Sequence, residues 1–129
     1  MIFLIVDDNP RIRASVKQFL ASRIPGHHIV YEASDGRDAI GIFEERRPDW
    51  VFMDIKMEPV DGLTGTRNII AAHPDAKIVI LTNYDDPQFR RAAREAGATA
   101  FVAKGRLERI LQVLAEVAAF HWNGASQTS

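Results

Sequence analysis

Five short apolar runs recur along the chain, separated by segments of mixed polarity. The runs are rich in Val, Ile and Phe and lack the apolar–polar alternation of a half-exposed strand, which is typical of strands buried on both faces of a sheet. They are Ile2–Val6, Ile29–Ala33, Trp50–Met53, Ile78–Leu81 and Ala100–Ala103. The pattern therefore predicts five buried β-strands.

The segments that follow these runs carry helical periodicity and helix-end signals. They are Pro10–Ser22, Asp35–Arg46, Leu63–Ala72, Pro87–Ala96 and Leu107–Phe120. The first begins at a first-turn proline, the fourth ends at a glycine, and the last has the clearest apolar stripe. Because strands and helices alternate regularly, the pattern predicts an α/β fold, a doubly wound parallel sheet with helices on both faces.

Composition and charge exclude several classes of protein. The 129 residues, 47% of them hydrophobic, suit one globular domain. The absence of cysteine excludes disulfides and zinc–thiolate sites, and a net charge of −1 gives no general attraction for nucleic acid or anionic membranes. No apolar run reaches the roughly 18 residues of a membrane span, and the opening run is too short for a signal peptide. We therefore expect a cytoplasmic domain over residues 1–120, with 121–129 as a flexible tail or the start of a linker.

Four of the predicted strands are followed directly by an acid, a hydroxyl or a lysine. Asp7 and Asp8 follow the first strand, Asp54 the third, Thr82 the fourth and Lys104 the fifth. The carboxyl ends of parallel strands share one edge of the sheet, where ligand sites form in such folds. Each residue alone has an ordinary role, such as capping a helix or stabilising a turn, but their convergence on one edge favours a functional site.

The residue types at this edge indicate phosphoryl chemistry. Three carboxylates repel one another unless a cation lies among them, and oxygen ligands without His or Cys suit Mg²⁺. A lysine and a hydroxyl are not required by such a metal site, but they are suited to an anion beside the metal. Because an aspartate can accept a phosphoryl group as a nucleophile, the sequence predicts a metal-dependent phosphoryl-accepting aspartate.

These segments resemble the receiver domains of two-component response regulators, and the resemblance extends from Ile2 to about Phe120. The matching segments are Val6-Asp7-Asp8-Asn9, Met53-Asp54-Ile55-Lys56-Met57 with Asp61-Gly62-Leu63, Leu81-Thr82-Asn83 and Phe101-Val102-Ala103-Lys104. The resemblance implies a flavodoxin-like sheet of strand order 2-1-3-4-5. It also implies a signalling protein rather than an enzyme, with self-phosphorylation and slow autodephosphorylation as its only catalysis.

The resemblance assigns the acidic residues to phosphoryl transfer and to Mg²⁺. Asp54 would take the phosphoryl group from a histidine kinase or a phosphotransfer protein. Asp8, Asp54 and the backbone carbonyl of Lys56 would bind Mg²⁺ directly, and Asp7 would act largely through water. One departure from many relatives is that Met57-Glu58-Pro59 places the proline one position later.

The resemblance also assigns residues that sense the phosphoryl group. Lys104 and Thr82 would contact its oxygens, and Thr82 with Phe101 would form the switch. Phe101 lacks the hydroxyl of the tyrosine often found at that position. Lys56 and Tyr84 occupy the positions where family members tune the lifetime of the phosphate.

The fourth helix, the fifth strand and the fifth helix form the predicted partner surface. Val113 and Phe120 fall outside the apolar stripe of the last helix, and Arg90 and Arg94 form a like-charge i,i+4 pair. We predict that this surface controls a partner or an effector domain, or joins a phosphorylation-favoured homodimer in which an acid such as Asp85 or Glu116 of another chain pairs with the arginines. Nothing in the chain predicts direct binding of nucleic acid or membrane.

Other functions remain open at this stage. A flavin carrier of the same topology would need a hydroxyl- and glycine-rich loop where the chain has Asp7-Asp8-Asn9-Pro10. A phosphohydrolase would need a placed general acid or base beside Asp54. A receiver-like interaction module that is never phosphorylated would not need the complete site. The four histidines lack partners at ligand spacing and are predicted to be surface residues.

Overall fold

Strands and helices alternate along the whole chain in the computed structural model, which describes residues 1–128 and their side chains up to Ala118. Within residues 1–128, five strands and five α-helices follow one another, with a single 3₁₀ turn before the last helix. In chain order they are β1 Ile2–Val6, α1 Pro10–Arg23, β2 Ile29–Ala33, α2 Gly36–Arg46, β3 Trp50–Met53, α3 Gly62–Ala72, β4 Ile78–Thr82, α4 Pro87–Glu95, β5 Ala100–Ala103, the 3₁₀ turn Lys104–Arg106 and α5 Arg109–Thr128.

The strands form one parallel sheet of order β2-β1-β3-β4-β5. This confirms the predicted topology, with β3 at the centre between β1 and β4. Alternate side chains of each strand point to opposite faces, so two cores form. One core packs the sheet against α1 and α5, and the other packs it against α2, α3 and α4. Burial on both faces explains the continuous apolar sequences of β1, β3 and β4. The prediction that all five strands are buried is wrong for β2, which lies at the edge of the sheet, where Ile29 and Glu32 are exposed.

Acidic and amide side chains fix the starts of four helices. Asn9, Asp35, Asp61 and Asp86 are the N-caps of α1 to α4, and each accepts a hydrogen bond from a backbone N–H in the first turn. Such caps satisfy donors that have no partner inside the helix. Each of these four helices begins after the carboxyl end of the strand that precedes it, on the side of the sheet where the predicted site residues lie.

The last helix differs from the prediction at both ends. It begins at Arg109 rather than Leu107, because Lys104–Arg106 first form a 3₁₀ turn. Its backbone is helical to Thr128, beyond the end at Phe120 that the sequence predicts. That 121–129 form a tail or the start of a linker stays a prediction. The segment after Phe120 has no proline, and its single glycine is not enough to end a helix. Within the described residues, no helix combines the length and the apolar character needed to cross a membrane.

Candidate functional site

Three carboxylates meet at the carboxyl ends of the two central strands. Asp7 and Asp8 follow β1 and Asp54 follows β3, and the register pairs Val6 with Met53 just before them. Each of the three offers a carboxylate oxygen within 4.8 Å of the others. Asp7 and Asp54 are buried, whereas Asp8 is exposed, so the cluster is open to solvent on one side. This cluster could hold a metal ion.

Lys104 lies between two of these acids. Its Nζ is 2.7 Å from Asp7 Oδ2 and 3.3 Å from Asp54 Oδ2. Burial acts to lower the pKa of Lys104, but the hydrogen bonds and negative charges of Asp7 and Asp54 outweigh it and raise that pKa. The lysine therefore keeps a positive charge beside the acids, at the edge where the sequence predicted it.

The surroundings of Asp54 disfavour the ionised form of its carboxylate. Burial raises the pKa of Asp54 and the charge of Asp7 raises it further, whereas Lys104 and a hydrogen bond from the backbone of Ile55 offset only part of the effect. Its Oδ1 atom is buried and has no hydrogen-bond partner among the described residues. A buried, ionised oxygen without a partner is costly, and a hard divalent cation at this oxygen would compensate the cost. The donor set therefore fits Mg²⁺.

The loop between β1 and α1 is held by a residue that the sequence did not single out. Arg13 donates to the backbone carbonyl of Asp7 at 2.6 Å and to the carboxylate of Glu32 at 2.9 Å. The N–H of Asn9 donates to Asp7 Oδ1 at 2.9 Å, which orients the carboxylate. Glu32 is 19 residues away from Arg13 in the chain, and no periodicity or spacing signals such a contact.

The predicted switch residues lie on β4 and β5. Thr82 is fully buried at the end of β4, where it pairs with Ala103 in the register, one residue before Lys104. Its Oγ1 accepts a hydrogen bond from the N–H of Tyr84 at 3.2 Å. Phe101 is half-buried on β5, and the guanidinium of Arg90 lies 4.9 Å from the centre of its ring. Phe101 therefore contacts α4 through Arg90.

The structure corrects one part of the predicted interface. Arg90 Nε donates to Asp85 Oδ1 of its own chain at 2.6 Å, so the hypothesis that Arg90 requires an acid from another chain is wrong. This hydrogen bond lowers the pKa of Asp85 and raises that of Arg90. Arg94 is exposed, and Val113 is half-buried against the core formed with α1 and α5. The side chain of Phe120 lies outside the described residues.

His73 is not the solvated surface residue that the sequence predicted. Its Nε2 donates to Glu44 at 2.9 Å, and its Nδ1 accepts from the guanidinium of Arg47 at 2.6 Å. Glu44 and Arg47 lie at the end of α2, and His73 is the C-cap of α3. These hydrogen bonds join the two helices at the sheet edge opposite the carboxylates, so His73 has a structural role.

Comparison with known proteins identifies the family that has this parallel sheet and acidic edge. The model of the response regulator receiver domain family matches residues 3–115, and the chain belongs to this family. This confirms the resemblance found in the sequence and places the protein in two-component signal transduction.

Two curated relatives illustrate the family. Response regulator GacA of Pseudomonas aeruginosa is 35% identical over 115 residues, which cover 88% of this chain and 53% of that protein. Transcriptional regulatory protein PdtaR of Mycobacterium tuberculosis is 39% identical over 101 residues, which cover 78% of this chain and 48% of that protein. The chain thus spans about half the length of these relatives.

Solved structures share the same fold. A LuxR-family two-component response regulator from Aurantimonas superposes with a TM-score of 0.82 at 32% identity, over 92% of this chain and 84% of that one. The CheX–CheY–BeF3–Mg²⁺ complex from Borrelia burgdorferi contains a chain that superposes with a TM-score of 0.83 at 27% identity, over 91% of this chain and 88% of that one.

Proposed function

We propose that Asp54 accepts a phosphoryl group in a Mg²⁺-dependent reaction, with a histidine kinase or a phosphotransfer protein as the donor. The observation that carries this proposal is the shared lysine: Lys104 contacts both Asp7 and Asp54 beside an Asp54 oxygen that has no partner among the described residues. An ion pair with a purely structural role would need only one acid for the one lysine. Three acids, a lysine and a buried hydroxyl at one strand edge suit the binding of a cation and an anion together.

The residues of the chain perform distinct parts of the transfer. One carboxylate oxygen of Asp54 attacks the phosphorus atom, so that an O–P bond forms while the bond from phosphorus to the donor's leaving group breaks. Lys104 lies where it can neutralise charge on the transferred oxygens, and Thr82 supplies a hydroxyl donor from the neighbouring strand. Asp8, Asp54 and the carbonyl of Lys56 would hold Mg²⁺, with Asp7 acting through water, and the ion would supply further charge neutralisation.

A solved relative supports the same chemistry. The Borrelia burgdorferi complex contains Mg²⁺ and BeF3 together with a chain of the same fold. The acidic cluster of the present chain consists of oxygen donors alone, as a Mg²⁺ site requires. The family, the donor set and the lysine therefore all support a phosphoryl acceptor.

The test is labelling with a small phosphodonor. In the presence of Mg²⁺ and acetyl phosphate, the intact mass of the protein is expected to increase by one phosphoryl group, and a chelator is expected to prevent the increase. Asp8→Asn should raise the Mg²⁺ concentration required, because it removes a carboxylate ligand. Labelling that persists in the chelator, or that maps to a residue other than Asp54, would contradict the proposal. Absence of labelling would favour the alternative of an interaction module that is never phosphorylated.

We also propose that Thr82 and Phe101 transmit the phosphorylated state to the surface formed by α4, β5 and α5, which controls a partner, a homodimer or an effector domain. Thr82 adjoins β5, and Phe101 contacts Arg90 of α4. Thr82→Ala should therefore lower partner binding or dimerisation per phosphoryl group incorporated, even where labelling is also slower. Sedimentation of protein with a measured phosphorylated fraction provides the comparison. Slower labelling with an undiminished response per phosphoryl group would refute this role for Thr82.

A further inference from the structure

One guanidinium connects the acidic loop to a helix and to the edge strand of the sheet. Nη1 of Arg13 donates to the backbone carbonyl of Asp7 at 2.6 Å, and Nε of the same group donates to Glu32 Oε1 at 2.9 Å. Arg13 lies in the first turn of α1, and Glu32 is the last residue but one of β2. The loop that carries Asp7 is therefore tied to both elements through a single side chain.

Every polar atom of Asp7 has a partner in the structure. Its N–H donates to the carbonyl of Ala33 at 3.1 Å, and its Oδ1 accepts from the N–H of Asn9 at 2.9 Å. Its Oδ2 lies 2.7 Å from Lys104 Nζ, and its carbonyl accepts from Arg13. The bond from Arg13 is the one that a substitution can remove without changing the carboxylates or Lys104.

Asp8 depends on the backbone of Asp7 for its orientation. Asp8 is exposed, and its carboxylate is one of the three that could hold a metal ion. The carbonyl of Asp7 and the N–H of Asp8 belong to one planar peptide group. A hydrogen bond that fixes this carbonyl therefore also fixes the direction in which the chain enters Asp8. Without that bond, the backbone would have to become ordered when the metal binds, and the entropy cost would weaken binding.

The charge of Arg13 acts in the opposite direction to its hydrogen bond. A guanidinium is charged in proteins at neutral pH, and a positive charge near a metal site repels Mg²⁺. Glu32 forms an ion pair with this charge and offsets part of it. If Arg13 acted only through its charge, its removal would strengthen Mg²⁺ binding, whereas a role in orienting the backbone gives a weakening. The sign of the change therefore distinguishes the two effects.

We propose that Arg13, held by Glu32, is a positioning residue for Mg²⁺: it fixes the peptide group between Asp7 and Asp8, so that the carboxylate of Asp8 is oriented before the ion binds. The proposal rests on the Mg²⁺ site of the proposed function. Arg13 contacts no carboxylate of the acidic cluster through its own guanidinium hydrogen bonds, which go to the Asp7 carbonyl and to Glu32. It therefore acts through the backbone and not as a ligand.

The test is a Mg²⁺ titration of the unphosphorylated protein, followed by the NMR chemical shift of the Asp8 backbone amide. Arg13→Met keeps the length of the stem but removes the guanidinium, and it is expected to weaken Mg²⁺ binding by about tenfold, as is typical when a residue that orients a metal ligand is lost. Glu32→Met should cause a smaller weakening, because Arg13 keeps its bond to the carbonyl. Adding Glu32→Met to Arg13→Met should have little further effect, since both changes break the same link.

Arg11→Met is the matched control for the loss of charge. Arg11 is exposed in the same turn of α1, and only its backbone N–H bonds to the cap residue Asn9. Its removal takes away the same positive charge and should leave the Mg²⁺ affinity unchanged or slightly higher. Equal or tighter binding in Arg13→Met as well would show that the arginine acts through charge alone and would overturn the proposal.

Two further measurements separate positioning from stability and from the proposed function. In labelling by acetyl phosphate, Arg13→Met should raise the Mg²⁺ concentration for half-maximal rate, while the rate at saturating Mg²⁺ stays close to that of the parent. A lower melting temperature without Mg²⁺, combined with parental Mg²⁺ affinity, would show a purely structural role and refute the proposal. Because Glu32 is exposed, Glu32→Met provides the same test with the core unchanged.

The parent protein decides between failure of this proposal and failure of the proposed function. If the parent binds Mg²⁺ and is labelled at Asp54, but Arg13→Met and Glu32→Met both bind Mg²⁺ as tightly as the parent, the proposed function stands and the role of Arg13 is wrong. If the parent itself binds no Mg²⁺, the proposed function fails, and the role of Arg13 fails with it.

Discussion

Asp54→Asn is expected to abolish labelling by acetyl phosphate and Mg²⁺ and to leave the protein folded. The substitution keeps the size of the side chain but removes the nucleophilic carboxylate and one ligand of the metal. The three-carboxylate cluster loses one of its members, while Asp7 stays paired with Lys104. Intact-mass measurement of the parent and the variant, under identical conditions, gives the comparison.

In the absence of metal, the folded Asp54→Asn variant should be at least as stable as the folded parent protein. Burial and the charge of Asp7 raise the pKa of Asp54, which means that the folded state disfavours the ionised carboxylate. Above the ordinary pKa of an aspartate the ionised group therefore lowers stability, and the neutral amide removes that cost. We expect an equal or higher melting temperature near neutral pH, so that a loss of labelling reflects chemistry and not unfolding.

Glu58→Gln is the matched control for this experiment. Glu58 is an exposed acid in the same loop, four residues after Asp54, and it lies outside the carboxylate cluster. Its neutralisation should leave labelling at the parental level. Full labelling of Asp54→Asn would refute the assignment of the acceptor, and loss of labelling in both variants would point to a general effect of charge in the loop.

The sheet and the acidic edge could be predicted because both depend on local sequence. Continuous apolar runs define strands covered on both faces, and the residue after each strand falls at a known edge once the strands are parallel. Asp7, Asp54 and Lys104 were therefore placed together without any contact information. The start of α1 can also be predicted from local sequence, because Asn9 caps the helix and Pro10 fits its first turn.

The remaining contacts could not be predicted because they join distant segments through particular rotamers. Arg13 meets Glu32, and His73 meets Arg47, across 19 and 26 residues of the chain. Arg90 and Asp85 are near in sequence, but Asp85 precedes the N-cap of α4, and the helical i,i+4 rule does not describe a pair that crosses a helix boundary. The sequence does not predict the full extent of α5, because small polar residues are a weak stop signal.

The acceptor loop depends on one glycine of the sequence motif, and the motif alone does not show why a glycine is required there. Gly62 is the first residue of α3, and its N–H donates to the carbonyl of Ile55 at 2.8 Å. A Cβ atom added at this position would lie 1.6 Å from the backbone oxygen of Asp54 and 3.0 Å from Cγ of Met53. The start of α3 therefore packs directly on the backbone of the acceptor residue, and only glycine fits.

Gly62→Ala is accordingly expected to lower the free energy of unfolding by at least about 3 kcal/mol, because the obstructing atom is backbone and cannot move aside as a side chain would. Gly41→Ala is the matched control: Gly41 is exposed in the middle of α2, and no atom lies within 4 Å of its added Cβ. That substitution should raise the free energy of unfolding by roughly 0.5–1 kcal/mol, since alanine favours the helix. Urea denaturation of the three proteins measures both effects. Equal stabilities of Gly62→Ala and the parent would show that α3 can move away from Asp54, and the acceptor would then not be held by this contact.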